Sequence, residues 1–512
     1  MSDSVRPPLS RATRRTARRL GLFAFLLFAL SGGGRIVGSD EVTMLELSRA
    51  MLAGRIDVPA GATLEGRDGR HYTKNAPGQA ILALPLVATA QTVTRVTGLS
   101  PERRELAVRF VTSFFNAIVT AVLLAVFYLF VRWLGARDGA ALVTALLLGF
   151  TTPVWVYAKS FMAEPLQALG LLLALWGALR ARHDPRRPWM AGTGFLLAVL
   201  VKPSMGPLAL MALAPLWSRG RRGFLTTVGV GMVAVLLFAL YNLARFGNPF
   251  QSGYGSQATL GGYSTPLWVG LYGLLLSSGK GVLWFAPVLW LAPAGARAMR
   301  HAGGVRRAAV TATLAATGVA LLLYGSFEHW AGDGSFGPRY LLPLLPLGFV
   351  AVAFGLEAGS RARLRLVRLL ALAGLLVQIG GVAIHFGAQM REAGDYPYST
   401  PLGDPRFMSD SHFNPAFSPI VGHWRMLVRN LGEHLSGRAP RLEGGSEVDA
   451  RIGISAEDQG RLLHALDFWW LYMGYAGLPR LPVALAVLVL AGLGVWASRR
   501  LRHALEDEAV EA

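Results

Sequence analysis

Long apolar runs separated by short polar stretches recur along this chain almost to its C-terminus. Runs of about 20 residues are what a helix needs to cross a bilayer. The pattern predicts spans near 20–37, 107–131, 138–157, 165–181, 188–203, 204–217 and 224–244. Further spans follow near 280–296, 308–326, 340–357, 366–386 and 481–498. Lys202 and Pro203 divide 188–203 from 204–217, so these two read as half-helices meeting near one face. The apolar stretch 76–96 is different. It contains Pro77, Gln79, Pro85 and Gln91 and runs into Arg95, Arg103 and Arg104. Laid along the membrane surface within a long first external loop, it leaves the remaining spans alternating cleanly.

Charge fixes the orientation. The 50 basic residues give a formal net charge of +20, against a 53% hydrophobic composition and a mean hydropathy of +0.42. Arginines concentrate in alternate loops, for example Arg132 and Arg137; Arg180, Arg182, Arg186 and Arg187; Arg219, Arg221 and Arg222; and Arg361, Arg363, Arg365 and Arg368. That asymmetry is the positive-inside pattern rather than a nucleic-acid footprint. It predicts an all-α polytopic membrane protein of about 12 spans with both termini cytoplasmic. Three parts follow: a membrane module over 1–386 that includes the first external loop 38–106, an external cap over 387–480, and a last span with its tail over 481–512. There is no cysteine, which excludes disulfides, thiol catalysis and thiolate metal sites. No internal repeat, GxGxxG, P-loop, HExxH or EF-hand pattern is present.

The candidate chemistry lies in the external loops. "GSDEVTMLELSRAMLAG" (38–54) opens with Asp40 and Glu41 and continues as an amphipathic helix. Acids in a first turn are ordinary capping, yet a carboxylate fixed by a helix start at headgroup depth is also well placed to act on a lipid head. Only four lysines stand among the basic residues: Lys74, Lys159, Lys202 and Lys280, all expected near the external face. A compact ammonium approaches phosphate as a point charge. Lys74 follows His71 and Tyr72, a base and a hydroxyl that are also ordinary loop residues. Glu164, before Pro165, is both a helix-start acid and a second external carboxylate. "FEHWAGDGSFGPRY" (327–340) supplies Glu328, His329, Asp333, Arg339 and Tyr340. His329 with a carboxylate leaves room for a divalent metal, although one histidine is thin support. The aromatics and glycines of "RFGNPFQSGYG" (245–255) suit sugar stacking or a tight turn.

Taken in order, "SDEVTMLELSRAMLAG", "YTKNAPGQAILALPLVA", "SFMAEPLQALGLLLAL", "LAVLVKPSMGPLAL" and "GSFGPRYLLPLLP" resemble the GT-C superfamily of lipid-carrier-dependent glycosyltransferases. The resemblance is nearest to protein O-mannosyltransferases and to the aminoarabinose and galacturonic acid transferases of lipid A. It implies a GT-C-type helical bundle whose first external loop bears interfacial helices. It also implies transfer of a hexose or pentose from a polyprenyl-phosphate donor to a glycan, glycolipid or protein acceptor outside the bacterial inner membrane, with inversion. Asp40 is then the general base, with Glu41 and Glu164 as further carboxylates. Lys74, Lys159, Lys202, Arg339, Tyr340, His329, Tyr72 and His71 become candidates for substrate binding. The chain lacks a clear DxD pair, which leaves a divalent metal cofactor an open expectation. The rival from another class is a multi-pass transporter or lipid-carrier flippase. That alternative calls for charges at mid-bilayer and related halves, whereas here the candidate groups gather on one face.

Overall fold

A computed structural model describes residues 9–511 apart from 62, 183–187, 220, 333, 358, 393–411 and 442–459. Asp333, Arg186 and Arg187 lie outside the described residues, as does much of the 387–480 segment. The described chain is helical, with a single two-stranded antiparallel pair (Leu64–Glu65 with His71–Tyr72) in the first external loop. Six helices are long and apolar enough to cross a membrane, and three shorter apolar ones accompany them. The protein is an all-α, multi-pass membrane protein.

Several expected spans take a different form. The first helix, α1 (Arg11–Leu30), begins within the arginine cluster because Ser10 caps it, accepting from the Thr13 amide. It stops at Leu30 rather than near 37, because Gly32–Gly34 follow and Gly34 takes φ +70°, a region that favours glycine. α2 (Ser39–Leu52), α3 (Gly78–Val96) and α4 (Pro101–Ser113) follow. α3 is the segment read as lying along the surface; it packs between α2 and α4 and is not among the helices apolar enough to span. α5 (Phe115–Trp133), α6 (Asp138–Phe150) and the short α7 (Val154–Ala158) come next, with Pro153 ending the run that was expected to be one span over 138–157.

α8 (Glu164–Ala181) is buried along nearly its whole length and forms the axis of the bundle. α9 (Trp189–Val201) runs beside it, and Lys202 breaks to an extended conformation before α10 (Gly206–Leu213), as the Lys-Pro pair predicts. α11 (Arg221–Phe246) is followed by α12 (Leu267–Leu276), a short helix absent from the expected set. The expected span 280–296 is instead α13 (Val282–Phe285), a 3₁₀ turn (Pro287–Leu291) and α14 (Ala292–Ala302); Pro287 and Pro293 remove the amides a continuous helix needs. α15 (Gly304–Gly325), α16 (Leu345–Glu357) and α17 (Arg361–Ala383) complete the membrane set before the cap. The cap contributes α18 (Phe386–Glu392), α19 (Pro419–Leu435) and α20 (Trp469–Tyr475). The last helix, α21 (Arg480–Glu511), packs on α1.

One continuous apolar core runs through α1, α5, α6, α8, α9, α10, α15 and α16. α11 and α21 lie at its edge, with only 17% and 11% of their most apolar stretches buried. In an aqueous protein such faces would be untenable; in a bilayer they are the lipid contact.

Candidate active site

α2 starts where the extended Gly32–Val37 segment turns, and its first turn points two adjacent carboxylates in different directions. Glu41 folds back into the protein: one oxygen accepts from the Gly38 amide at 3.0 Å, and the other accepts from the Phe161 amide at 2.5 Å. It is 3% exposed and joins the start of α2 to the loop between α7 and α8. Burial pushes its carboxyl pKa up, against the pull of the amides of Phe161 and Gly38. The structure therefore does not bring Glu41 together with Asp40 at one site; its neighbours are backbone amides.

Asp40 faces the opposite way, into a group of cations. Lys74 Nζ stands 3.7 Å from Asp40 Oδ1. Arg339, at the start of the 3₁₀ turn Arg339–Leu344, donates from Nη2 to Asp40 Oδ2 at 3.1 Å and from Nε to Glu164 Oε1 at 2.5 Å. One guanidinium thus clamps two carboxylates, using the directional fork that arginine provides. Burial alone would raise the Asp40 pKa, but Lys74 and Arg339 outweigh it and hold it down at about 2. Glu164 is 1% exposed, and its second oxygen has no hydrogen-bond partner among the described residues. A buried carboxylate oxygen left this way costs about 1–3 kcal/mol until a donor reaches it.

Aromatic rings line the group. Lys74 lies 5.7 Å from the Tyr254 ring centroid, and Lys202 lies 4.5 Å from that of Tyr340 and 5.9 Å from that of Tyr324. Tyr324 and Tyr340 stack at 4.6 Å with planes 8° apart, and Ser204 hydrogen-bonds the Tyr324 hydroxyl at 3.1 Å. Lys202 is close enough to act electrostatically on Asp40 and Glu164.

The supporting contacts explain how residues more than a hundred positions apart hold this register. The Asn75 amide donates to the Asp40 carbonyl at 3.4 Å and to Thr43 Oγ1 at 3.2 Å, tying the Lys74 loop to α2. Gln79 donates to the Phe161 carbonyl at 2.6 Å, so the loop leading to Glu164 is held at both its amide and its carbonyl from the first external loop. Arg245, fully buried, donates to the Thr73 carbonyl. Gly78 allows α3 to lie against the end of α9: a Cβ there would come within 2.6 Å of the Leu200 carbonyl oxygen.

Of the sequence candidates, the structure brings Asp40, Lys74, Glu164, Lys202, Arg339 and Tyr340 together. Others lie elsewhere. Tyr72 donates to Asp68 at 2.8 Å, and His71 Nδ1 is 3.3 Å from Thr63 Oγ1 in the small hairpin. His329 Nε2 meets Gln257 at 2.7 Å, so its ring is engaged with an amide. Lys159 is spent on structure: its ammonium donates to the Val382 carbonyl at 2.6 Å, the Asp467 carbonyl at 2.6 Å and Asp467 Oδ2 at 2.7 Å. Arg35 pairs with the same carboxylate. Despite burial, Arg35 and Lys159 hold the Asp467 pKa far below the carboxylate range. In the cleft bordered by Arg35, Glu41, Lys159, His385 and Asp467, the two cations share the Asp467 carboxylate. Among the described residues, no three His, Cys, Asp or Glu side chains converge as a metal site.

Sequence reasoning missed Tyr324, Asp467 and Arg245, and it read Tyr254 only as part of an aromatic, glycine-rich turn. No family model matches this sequence, and no curated protein matches it. Among solved structures, the chain is similar to the apo oligosaccharyltransferase of Archaeoglobus fulgidus, with 14% identity and a TM-score of 0.46 over 81% of this chain and 63% of that one. It is also similar to the oligosaccharyltransferase AglB of the same organism, solved with an inhibitory peptide and a dolichol-phosphate, with 14% identity and a TM-score of 0.43 over 79% of this chain and 60% of that one. The chain thus spans less than two thirds of the length of either structure.

Proposed function

We propose that this protein is an integral membrane glycosyltransferase that takes a sugar from a polyprenyl-phosphate donor and passes it, with inversion, to an acceptor on the external face. The observation that carries this reading is the convergence of Asp40, Glu164, Arg339, Lys74 and Lys202 beside three tyrosine rings at the loop end of the bundle. Two clamped carboxylates and two lysines outside the clamp are what such a transfer requires. The acceptor hydroxyl attacks C1, and its proton passes to Asp40. The bond from C1 to the phosphate oxygen breaks, and polyprenyl phosphate leaves with the bonding pair. Lys74 and Lys202 meet the charge that develops on that phosphate. Arg339 orients both carboxylates. The free oxygen of Glu164 accepts from a hydroxyl of the sugar or acceptor, and Tyr254 and Tyr340 offer apolar faces to the sugar ring.

The positive-inside asymmetry supports a bacterial inner membrane location with both termini cytoplasmic and the site outside. The acceptor is a glycan, glycolipid or protein, and the donor's lipid tail stays in the bilayer. The test is transfer from a polyprenyl-phosphate sugar by protein in vesicles. Asp40→Asn should lower turnover by about 100-fold or more while donor binding persists. Full turnover in that variant would remove Asp40 as base. Donor binding without transfer would leave a lipid-carrier flippase. Failure of the wild-type protein to bind any such donor would overturn the whole reading, leaving a transporter of another substrate.

A further inference from the structure

The cap helix α19, "PIVGHWRMLVRNLGEHL", has two faces. Gly422, His423, Met426 and Asn430 are buried against the protein. Val421, Val428, Leu431 and Leu435 are 56%, 67%, 47% and 82% exposed. At 100° per residue these four fall within one narrow stripe. Beside it Arg425 is loosely held, 3.8 Å from Glu392 and 60% exposed.

We infer that this stripe is embedded in the bilayer leaflet on the side of the candidate site, making α19 an interfacial helix rather than part of a water-exposed cap. The inference is independent of the function proposed above. Its basis is continuity with the lipid-facing surface of α17. On that span Leu369, Leu372 and Leu376 are themselves 64%, 54% and 43% exposed. α19 crosses α17 beside them: the Trp424 indole donates to the Leu376 carbonyl at 2.9 Å, and a Cβ on Gly380 would lie 3.2 Å from Trp424. α17 ends at Ala383, so the crossing lies about 5–10 Å below its end at 1.5 Å per residue. That is the depth at which an amphipathic helix beds its apolar face at the boundary of headgroups and acyl chains. The same end of α17 is tied to the loop ahead of Glu164 through Lys159 and Val382, which identifies the leaflet. Trp424 and Arg425 carry the indole and guanidinium suited to that zone.

The naturally cysteine-free chain allows a direct test. Val428→Cys and Leu435→Cys would be spin-labelled singly in protein reconstituted into phospholipid vesicles, and collision with oxygen compared with collision with a water-soluble nickel chelate. Leu372→Cys on α17 and Arg438→Cys beyond the helix end serve as lipid and water references. The oxygen-to-nickel ratio at both α19 positions should be severalfold above that of Arg438→Cys and close to that of Leu372→Cys. A ratio like that of Arg438→Cys, as a water-exposed face awaiting a protein partner would give, overturns the inference. So does a label shielded from both reagents, as a contact between two copies would give.

Discussion

Asp40 and Glu41 are consecutive in the chain and occupy separate environments. Asp40 contacts Lys74 and Arg339, and Glu41 is buried on two backbone amides. A helix turns by about 100° per residue, so neighbouring side chains at a helix start diverge. Each carboxylate is then free to take one task. Glu41 fixes the distance between the α2 start and the loop bearing Glu164, and Asp40 is presented to the cations.

Removing that strut should separate stability from chemistry only partly. Glu41→Gln keeps one acceptor oxygen and turns the other into a donor facing an N–H. Glu41→Ala loses both acceptors. We expect destabilisation of about 1–3 kcal/mol for each, measured by thermal unfolding in detergent. Transfer should fall through turnover rather than donor affinity, because Lys74 and Lys202 stay in place. A variant with altered donor affinity and normal turnover would contradict this role.

The acid limb of Asp40 has a defined sign. Its carboxyl is held at about 2 against an ordinary 3.8. A depressed carboxylate pKa contributes stability that is fully present above 3.8 and is lost as pH falls toward 2. The shift corresponds to about 2 kcal/mol. Asp40→Asn should flatten the stability curve over that window. Lys74→Met should move the window upward, because the largest of the lowering fields is removed.

Lys74, Lys202 and Lys159 divide by task, which a simple substitution series can read. Lys74→Met and Lys202→Met should lower transfer by about tenfold or more through lost phosphate stabilisation, at a stability cost no larger than about 2 kcal/mol, the amount that the depressed Asp40 pKa represents. Lys159→Met should do the reverse. It leaves the Val382 and Asp467 carbonyls and Asp467 Oδ2 without the donor they share, a loss of about 1–3 kcal/mol for each acceptor left unmet. Equal effects of all three substitutions on unfolding temperature would refute the division.

Between Asp40 and Glu164 stands the Arg339 guanidinium, bonded to both. A divalent ion bridging those carboxylates would have to displace it. Chelation with EDTA is therefore expected to leave transfer unchanged, and Arg339→Lys to reduce it, since an ammonium cannot reproduce the two-pronged geometry.

Much of the bundle was legible because hydropathy and arginine placement are local signals tied directly to the bilayer. The 76–96 helix could be kept off the spanning list from the alternation of the remaining spans together with its prolines, glutamines and flanking arginines. Asp40, Lys74, Glu164, Lys202 and Arg339 were legible as polar exceptions at the ends of apolar runs. What could not be read was partner choice. Lys159 and Lys202 look alike in sequence, yet one meets Asp467 and the other meets tyrosine rings, because packing over hundreds of residues decides which carboxylate is near. Asp467 sits in "HALDFWW" among aromatics, where nothing local marks it as the counter-charge for Arg35. Proline breaks within 280–296 were visible, but their consequence, three short helices in place of one, depends on neighbours that fill the gaps.

The Arg35–Lys159–Asp467 tie has a consequence for how the molecule is made. Chains grow from the N-terminus, so Arg35 and Lys159 are synthesised long before Asp467, the carboxylate that pairs with both among the described residues. Until residue 467 emerges, Arg35, just ahead of the first loop, and Lys159, between α7 and α8, lack that counter-charge. The pairing that ties these segments together is thereby timed to the last tenth of synthesis, and a chain truncated just short of that aspartate would carry every proposed reactive group while lacking this latch.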